Sequence, residues 1–132
     1  MKRKIITTGD GSKTIQIEDW DEQYHSIHGA IQEANHVFIK QGLHHICNTN
    51  IAKCERNKIQ KYFPKISILE IGFGTGLNAF ITALEAQKLE MKIDYIGIEA
   101  YPVAAAEVKQ LNYAELIEEK ASHMFAKLHE IP

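Results

Sequence analysis

The sequence predicts an α/β protein in which a β-hairpin and a helix precede a partial parallel sheet. Three observations lead there. Ile66-Ser67-Ile68-Leu69-Glu70-Ile71 is a short, mostly apolar run closed by glycine, the pattern of a buried parallel strand. A helical period follows the glycines, and a second apolar run, Lys92 to Glu99, follows that helix. Upstream the pattern changes to strand-like alternation around an Asp-Gly turn, then one amphipathic helix. The expected organisation is an N-terminal hairpin and helix over residues 1–65 and the first half of a sheet domain over 66–132.

In chain order, Ile5 to Thr8 and Thr14 to Glu18 are strands around Gly9-Asp10-Gly11-Ser12, with Ile15 and Ile17 alternating with polar neighbours. Trp20 to His25 reads as a connection. Ser26 is the expected N-cap of a helix to about Gln41, where Gly42 offers a natural stop. Its stripe is Ile27, Ala30, Ile31, Ala34, Val37 and Phe38. Residues 43–54 show no clear period, and a short helix is expected from Glu55 to Phe63, ended by Pro64. After the glycine turn, Leu77, Phe80, Ile81 and Leu84 mark a helix to about Lys88. Pro102 fits the first turn of a helix to about Leu111, and Leu116, Ile117, Ala121, Met124 and Leu128 stripe a last one.

Composition narrows the function classes. The chain has 132 residues, 45% hydrophobic and 24% charged, with a formal net charge of −2. That is the balance of a soluble domain, without the basic excess of a dedicated nucleic-acid binder. No apolar stretch approaches the ~20 residues of a membrane span, and no apolar signal segment follows Lys2-Arg3-Lys4. A cytoplasmic location is expected. Cys47 and Cys54, with six residues between them, fit neither a CxxC pair nor common zinc spacing. His25 and His28 straddle the expected helix start, and nothing completes a ligand set, so no metal site is expected.

The chemistry concentrates at Glu70-Ile71-Gly72-Phe73-Gly74-Thr75-Gly76. Strand, glycine turn and helix together form a cradle in which backbone amides approach a ligand. The spacing is GxGxG. The dinucleotide fingerprint GxGxxG would need glycine where Leu77 stands, which disfavours a nicotinamide- or flavin-dependent oxidoreductase. A phosphate-binding loop would need a Lys, and none follows Gly76 until Lys88. Glu70 lies two residues before the loop, able to face a ligand or to order the turn. Glu99 ends the second strand, placed to accept both hydroxyls of a ribose. Carboxylates here would repel a pyrophosphate and suit an adenosine ligand carrying ammonium and sulfonium charges, which is S-adenosylmethionine. Phe73 is read either as pocket lining or as core, and Asn78 either as a cap on the loop or as a contact to the methionyl carboxylate.

Leu69-Glu70-Ile71-Gly72-Phe73-Gly74-Thr75-Gly76-Leu77-Asn78 resembles the loop of the MnmC-type methyltransferases. Tyr24-His25-Ser26-Ile27-His28-Gly29-Ala30-Ile31-Gln32-Glu33, continuing to Val37-Phe38, resembles an upstream segment of that family, and Gly97-Ile98-Glu99-Ala100-Tyr101-Pro102 its second-strand acid. The resemblance implies a partial Rossmann-like, class I methyltransferase sheet using S-adenosylmethionine to methylate an aminomethyl group on the wobble uridine of transfer RNA. Cofactor-loop roles fall to Glu70, Gly72, Phe73, Gly74, Thr75, Gly76, Asn78 and Glu99, with Tyr24, Ser26 and Glu33 at the pocket wall. The family's catalytic acid belongs to a D-x-F-x-P segment that this sequence lacks, so no catalytic residue is assigned. The expectation is a chain that stops before fold and active site are complete. A non-catalytic cofactor-binding fragment is the alternative to an enzyme. An unfinished sheet edge would also favour self-association.

Overall fold

The computed structural model describes residues 1–49 and 65–131. The expected helix from Glu55 to Phe63 and Cys54 lie outside the described residues.

The hairpin forms as the alternation requires. Strand β1 (Arg3–Thr7) pairs antiparallel with β2 (Lys13–Ile17), Ile5 opposite Ile15, around a turn in which Gly11 takes φ 86°. A two-residue strand, β3 (Glu22–Gln23), adds to β2 within the segment read as a connection.

Helix α1 (Ala30–Ala34) begins later than expected, and Ser26 is not its cap. Its N-terminal amides are satisfied by the hairpin turn instead. Ala30 N–H donates to Thr8 Oγ1 at 3.1 Å, Ile31 N–H to Ser12 Oγ at 3.2 Å and Gln32 N–H to Asp10 Oδ2 at 2.9 Å. These are the groups a helix start leaves unpaired, and three turn side chains meet them from another element. Thr8 and Ser12 are themselves buried.

Beyond Ala34 the helix widens into a π-helical stretch, Asn35–His44, and continues helically to Thr49. Gly42 does not stop it, because it keeps a helical conformation while Leu43 and Cys47 carry the buried stripe onward. That stripe runs Ala30, Ala34, Ile39, Leu43, Cys47. Its step from Ala34 to Ile39 is the extra residue that a wider turn inserts. As a result Val37, expected in the core, is exposed, as is Ile27 before the helix start.

Strand β4 (Ile66–Ile71) and helix α2 (Leu77–Lys88) fall where the sequence put them. Strand β5 (Ile93–Ile98) lies parallel to β4, with Glu70 opposite Gly97 and Ile71 opposite Ile98. The strands bury one face rather than two. Ile66, Ile68 and Glu70 point toward α2. On the other face Leu69, Ile71, Ile96 and Ile98 are 63%, 74%, 61% and 51% exposed.

The two helices expected near the C-terminus are three shorter ones: α3 (Ala105–Val108), α4 (Tyr113–Ile117) and α5 (Ser122–Leu128). Tertiary bonding sets the first break. Asn112 accepts from Lys13 N–H at 2.9 Å and donates through Nδ2 to Gly11 C=O at 3.0 Å, tying this corner to the hairpin. Glu118, extended at φ −156° and ψ 94°, makes the second.

The core sits on the inner face of α2. Leu77 and Phe80 pack with Ala30, Ala34, Ile39 and Leu43 on one side and with Leu111, Tyr113 and Phe125 on the other. Phe80 and Tyr113 both meet the Phe125 ring edge-on, with centroids 5.2 and 5.7 Å away, a favoured arrangement for aromatic pairs.

Candidate cofactor site

The glycine turn leaves β4, folds back on β5 and enters α2. Gly72 and Phe73 both donate N–H to Ile98 C=O, at 2.8 and 3.0 Å, and Gly76 N–H donates to Phe73 C=O at 3.0 Å. Close approach requires glycine at Gly74 and at Gly97. Gly74 takes φ 55° and lies so near Tyr24 that an added Cβ would stand 3.0 Å from the ring. At Gly97 a Cβ would stand 2.4 Å from Phe73, so β5 must be bare where the Phe73 ring crosses it.

Two acids organise the turn. Glu70 is buried on the α2 side of β4. It accepts from Asn78 Nδ2 at 2.9 Å and from the Tyr95 hydroxyl at 2.6 Å, joining β4 to the start of α2 and to β5. Burial raises its carboxyl above the usual value and outweighs these two hydrogen bonds, while the nearby Glu99 charge pushes the same way. The Tyr95 phenol is held protonated, first by burial and then by its bond to Glu70. Glu99 spans the turn. Its Oε2 accepts from Gly74 N–H at 2.8 Å and its Oε1 from Tyr101 N–H at 2.9 Å.

These residues border a cavity of 370 Å³, within the range of small-ligand sites. Of the expected residues, Glu70, Gly72, Phe73, Gly74, Asn78, Glu99, Tyr24 and Glu33 line it. Thr75, Gly76 and Ser26 do not. Thr75 is fully buried beneath the turn and accepts from the Tyr113 hydroxyl at 3.1 Å, while Gly76 is the left-handed residue before α2. Ser26 acts through its backbone, donating N–H to Glu33 Oε2 at 2.7 Å and so fixing a carboxylate at the wall.

The wall also holds residues that the sequence reading placed elsewhere: His25, Ala34, Val37 and Phe38. Their signal was the upstream segment itself, which contains His25 and runs on to Val37-Phe38. The helical stripe assigned the apolar members to the core. The His25 ring is set by a 2.9 Å bond between Nδ1 and Thr14 Oγ1. Burial pushes its imidazole below the ordinary value, partly opposed by the Glu33 charge.

A second cavity, 660 Å³, adjoins the first at Phe73, Gly74 and Glu99, with Ala83, Met91 and Val103 among its apolar lining. Among the described residues, no group of three or more His, Cys, Asp or Glu is arranged to hold a metal ion. Nor is any helix among them long and apolar enough to cross a membrane.

A glycine turn between a parallel strand and a helix, walled by carboxylates, makes the candidate site of an α/β unit. No family model matches the chain. It is 34% identical over 132 residues to the tRNA 5-methylaminomethyl-2-thiouridine biosynthesis bifunctional protein MnmC of Leptospira interrogans, a match covering 96% of this chain and 19% of that protein. The protein of the same name from Delftia acidovorans is 33% identical over 93 residues, covering 67% and 12%. The crystal structure of MnmC2 from Aquifex aeolicus superposes with a TM-score of 0.56 at 24% identity, covering 90% of this chain and 37% of that one. The chain belongs to the MnmC-type family and spans between about an eighth and a fifth of the length of the curated relatives it matches.

Proposed function

We propose that the 370 Å³ cavity is a seat for S-adenosylmethionine on a Rossmann-like, class I methyltransferase sheet. One observation carries this reading. The lining holds three carboxylates, Glu33, Glu70 and Glu99, and no lysine or arginine among the described residues. Such a wall attracts a cationic ligand and repels a pyrophosphate. Leu77, fully buried where a dinucleotide site would have its third glycine, argues the same way against an oxidoreductase.

The geometry supports a role for each residue. Each Glu99 oxygen takes one backbone N–H and keeps a lone pair for a ribose hydroxyl. The Gly72–Gly76 turn receives the methionyl part, while Glu70 and Asn78 hold the turn in shape. When bound, the cofactor supplies an electrophilic methyl group. The chain's own part is to position it and to keep competing anions out.

The proposed reaction is methylation of an aminomethyl group on transfer-RNA wobble uridine, in the cytoplasm. Without a D-x-F-x-P segment in the sequence, the 132 residues alone are expected to bind cofactor without turning over. Turnover of undermodified transfer RNA by this chain would contradict that. The exposed sheet face of Leu69, Ile71, Ile96 and Ile98 is the surface proposed for self-association.

Calorimetric titration tests the seat. Glu99→Ala removes an acceptor that is charged and shared by two hydroxyls, so roughly 1.5–3 kcal/mol, or about a 10- to 150-fold loss of affinity, is expected. Equal affinity for both proteins would discard the assignment.

A further inference from the structure

Arg3 opens the first strand, yet its guanidinium reaches the far end of the chain. Nη2 donates to Tyr101 C=O, and Nη1 donates to Pro102 C=O at 3.2 Å and meets Glu107 Oε2 at 3.5 Å. The side chain is 11% exposed, and its central carbon lies 5.9 Å from the centroid of the Tyr24 ring. Tyr101 is the residue whose N–H holds Glu99 Oε1, and Tyr24 is the ring against which Gly74 packs. One fork therefore links Tyr24, in the cavity wall, to the segment that follows Glu99. It holds the carbonyl of Tyr101, the residue whose own N–H orients the Glu99 carboxylate, and lies beside the aromatic wall facing the glycine turn.

For stability alone this is a poor arrangement. A buried arginine pays a desolvation cost that an apolar side chain of similar size avoids. Here Nε is buried with no partner among the described residues. What a guanidinium adds is geometry, because its planar fork donates in fixed directions to two successive carbonyls while its charge lies over a ring.

We infer that Arg3 is a positioning residue of the cofactor site, setting the Glu99 carboxylate and the Tyr24 ring from a strand outside the α/β unit. The inference rests on the S-adenosylmethionine reading. It acts through Tyr101 and Tyr24.

The test uses Arg3→Met, which keeps the volume, Arg3→Lys, which keeps the charge, and Lys2→Met as a control on an exposed ion pair with Glu18. Three readouts are taken: melting temperature, the amide proton resonance of Gly74 without ligand, and affinity for S-adenosylmethionine. Expected for Arg3→Met is a melting temperature close to wild type, an upfield move of the Gly74 amide as its bond to Glu99 loosens, and an affinity loss of about 10-fold. Arg3→Lys, lacking the fork, shows the same amide move and a similar loss, and Lys2→Met changes nothing. An unmoved Gly74 amide with affinity within 2-fold of wild type overturns the inference. So does loss of cooperative melting in both Arg3 variants, which would make Arg3 a stability residue. If wild type binds no S-adenosylmethionine, the cofactor reading fails, while the ligand-free Gly74 resonance still decides whether Arg3 sets the loop.

Discussion

Replacing Asp10 with alanine should loosen the helix that carries Glu33, Val37 and Phe38 to the cavity. The carboxylate accepts from Ser12 N–H at 3.0 Å, Thr8 Oγ1 at 3.0 Å and Gln32 N–H at 2.9 Å, and from the Ser12 hydroxyl. Burial alone would raise its pKa. The bonds from the Ser12 side chain, Gln32, Ser12 N–H and Thr8 together outweigh that and hold it below the ordinary 3.8. A lost helix cap costs about 1 kcal/mol, and the collapse of the turn adds a comparable amount. The site is largely open to water, so solvent screening keeps the total near 2 kcal/mol. For a chain of this length each kcal/mol moves the melting temperature by about 3–5 °C, so the midpoint should fall by about 6–10 °C at pH 7.

The pH dependence has a definite sign. A carboxyl whose folded pKa is lowered stabilises above its unfolded value and loses that contribution as pH falls through the folded one. The gap between wild type and Asp10→Ala, followed by circular dichroism, should therefore hold from pH 7 down to about 4 and close below it. A gap under 1 °C at pH 7, or one that widens on acidification, would refute the capping account.

Glu70→Gln should show the opposite sign. Burial raises the folded pKa of Glu70, so its contribution is complete below the ordinary 4.5 and declines as pH rises through the folded value. Wild-type stability relative to the glutamine variant should drop over that range, and a melting difference independent of pH would count against it. Gly97→Val should displace the Phe73 ring from the boundary of the two cavities, lowering S-adenosylmethionine affinity at least 10-fold by calorimetry, and retained affinity would remove Phe73 from the site. Ile71→Lys together with Ile96→Lys should shift sedimentation from an associated species to monomer, and a wild-type chain already monomeric at high concentration would dispose of the self-association proposal.

The α/β unit was legible in the sequence because its signals are local. Ile66 to Ile71 is apolar and ends at glycine, and the period from Leu77 runs unbroken to Lys88, so both bounds came out as expected. The glycine turn carried its own conformations, positive φ at Gly72, Gly74 and Gly76. What escaped was decided at a distance. The cap of α1 comes from Thr8, Asp10 and Ser12, which no pattern around residue 30 reveals. The break at Asn112 falls where the helix after Pro102 was expected to end, near Leu111, but its bonds to Gly11 and Lys13, about a hundred residues earlier in the chain, were not legible. The widened turn after Ala34 rotates Val37 out of the stripe, turning a core residue into pocket wall. At the site the sequence supplied the acids and glycines, but Ser26 and Thr75 act from behind the wall, and His25 reaches it through a bond to Thr14.

The central claim is that a carboxylate-walled glycine turn selects a cation without phosphates. Side-by-side titration of this chain with S-adenosylmethionine and with NAD tests it most directly. The account predicts saturable binding of the first and none of the second at the same concentrations. Tighter binding of the dinucleotide would contradict it.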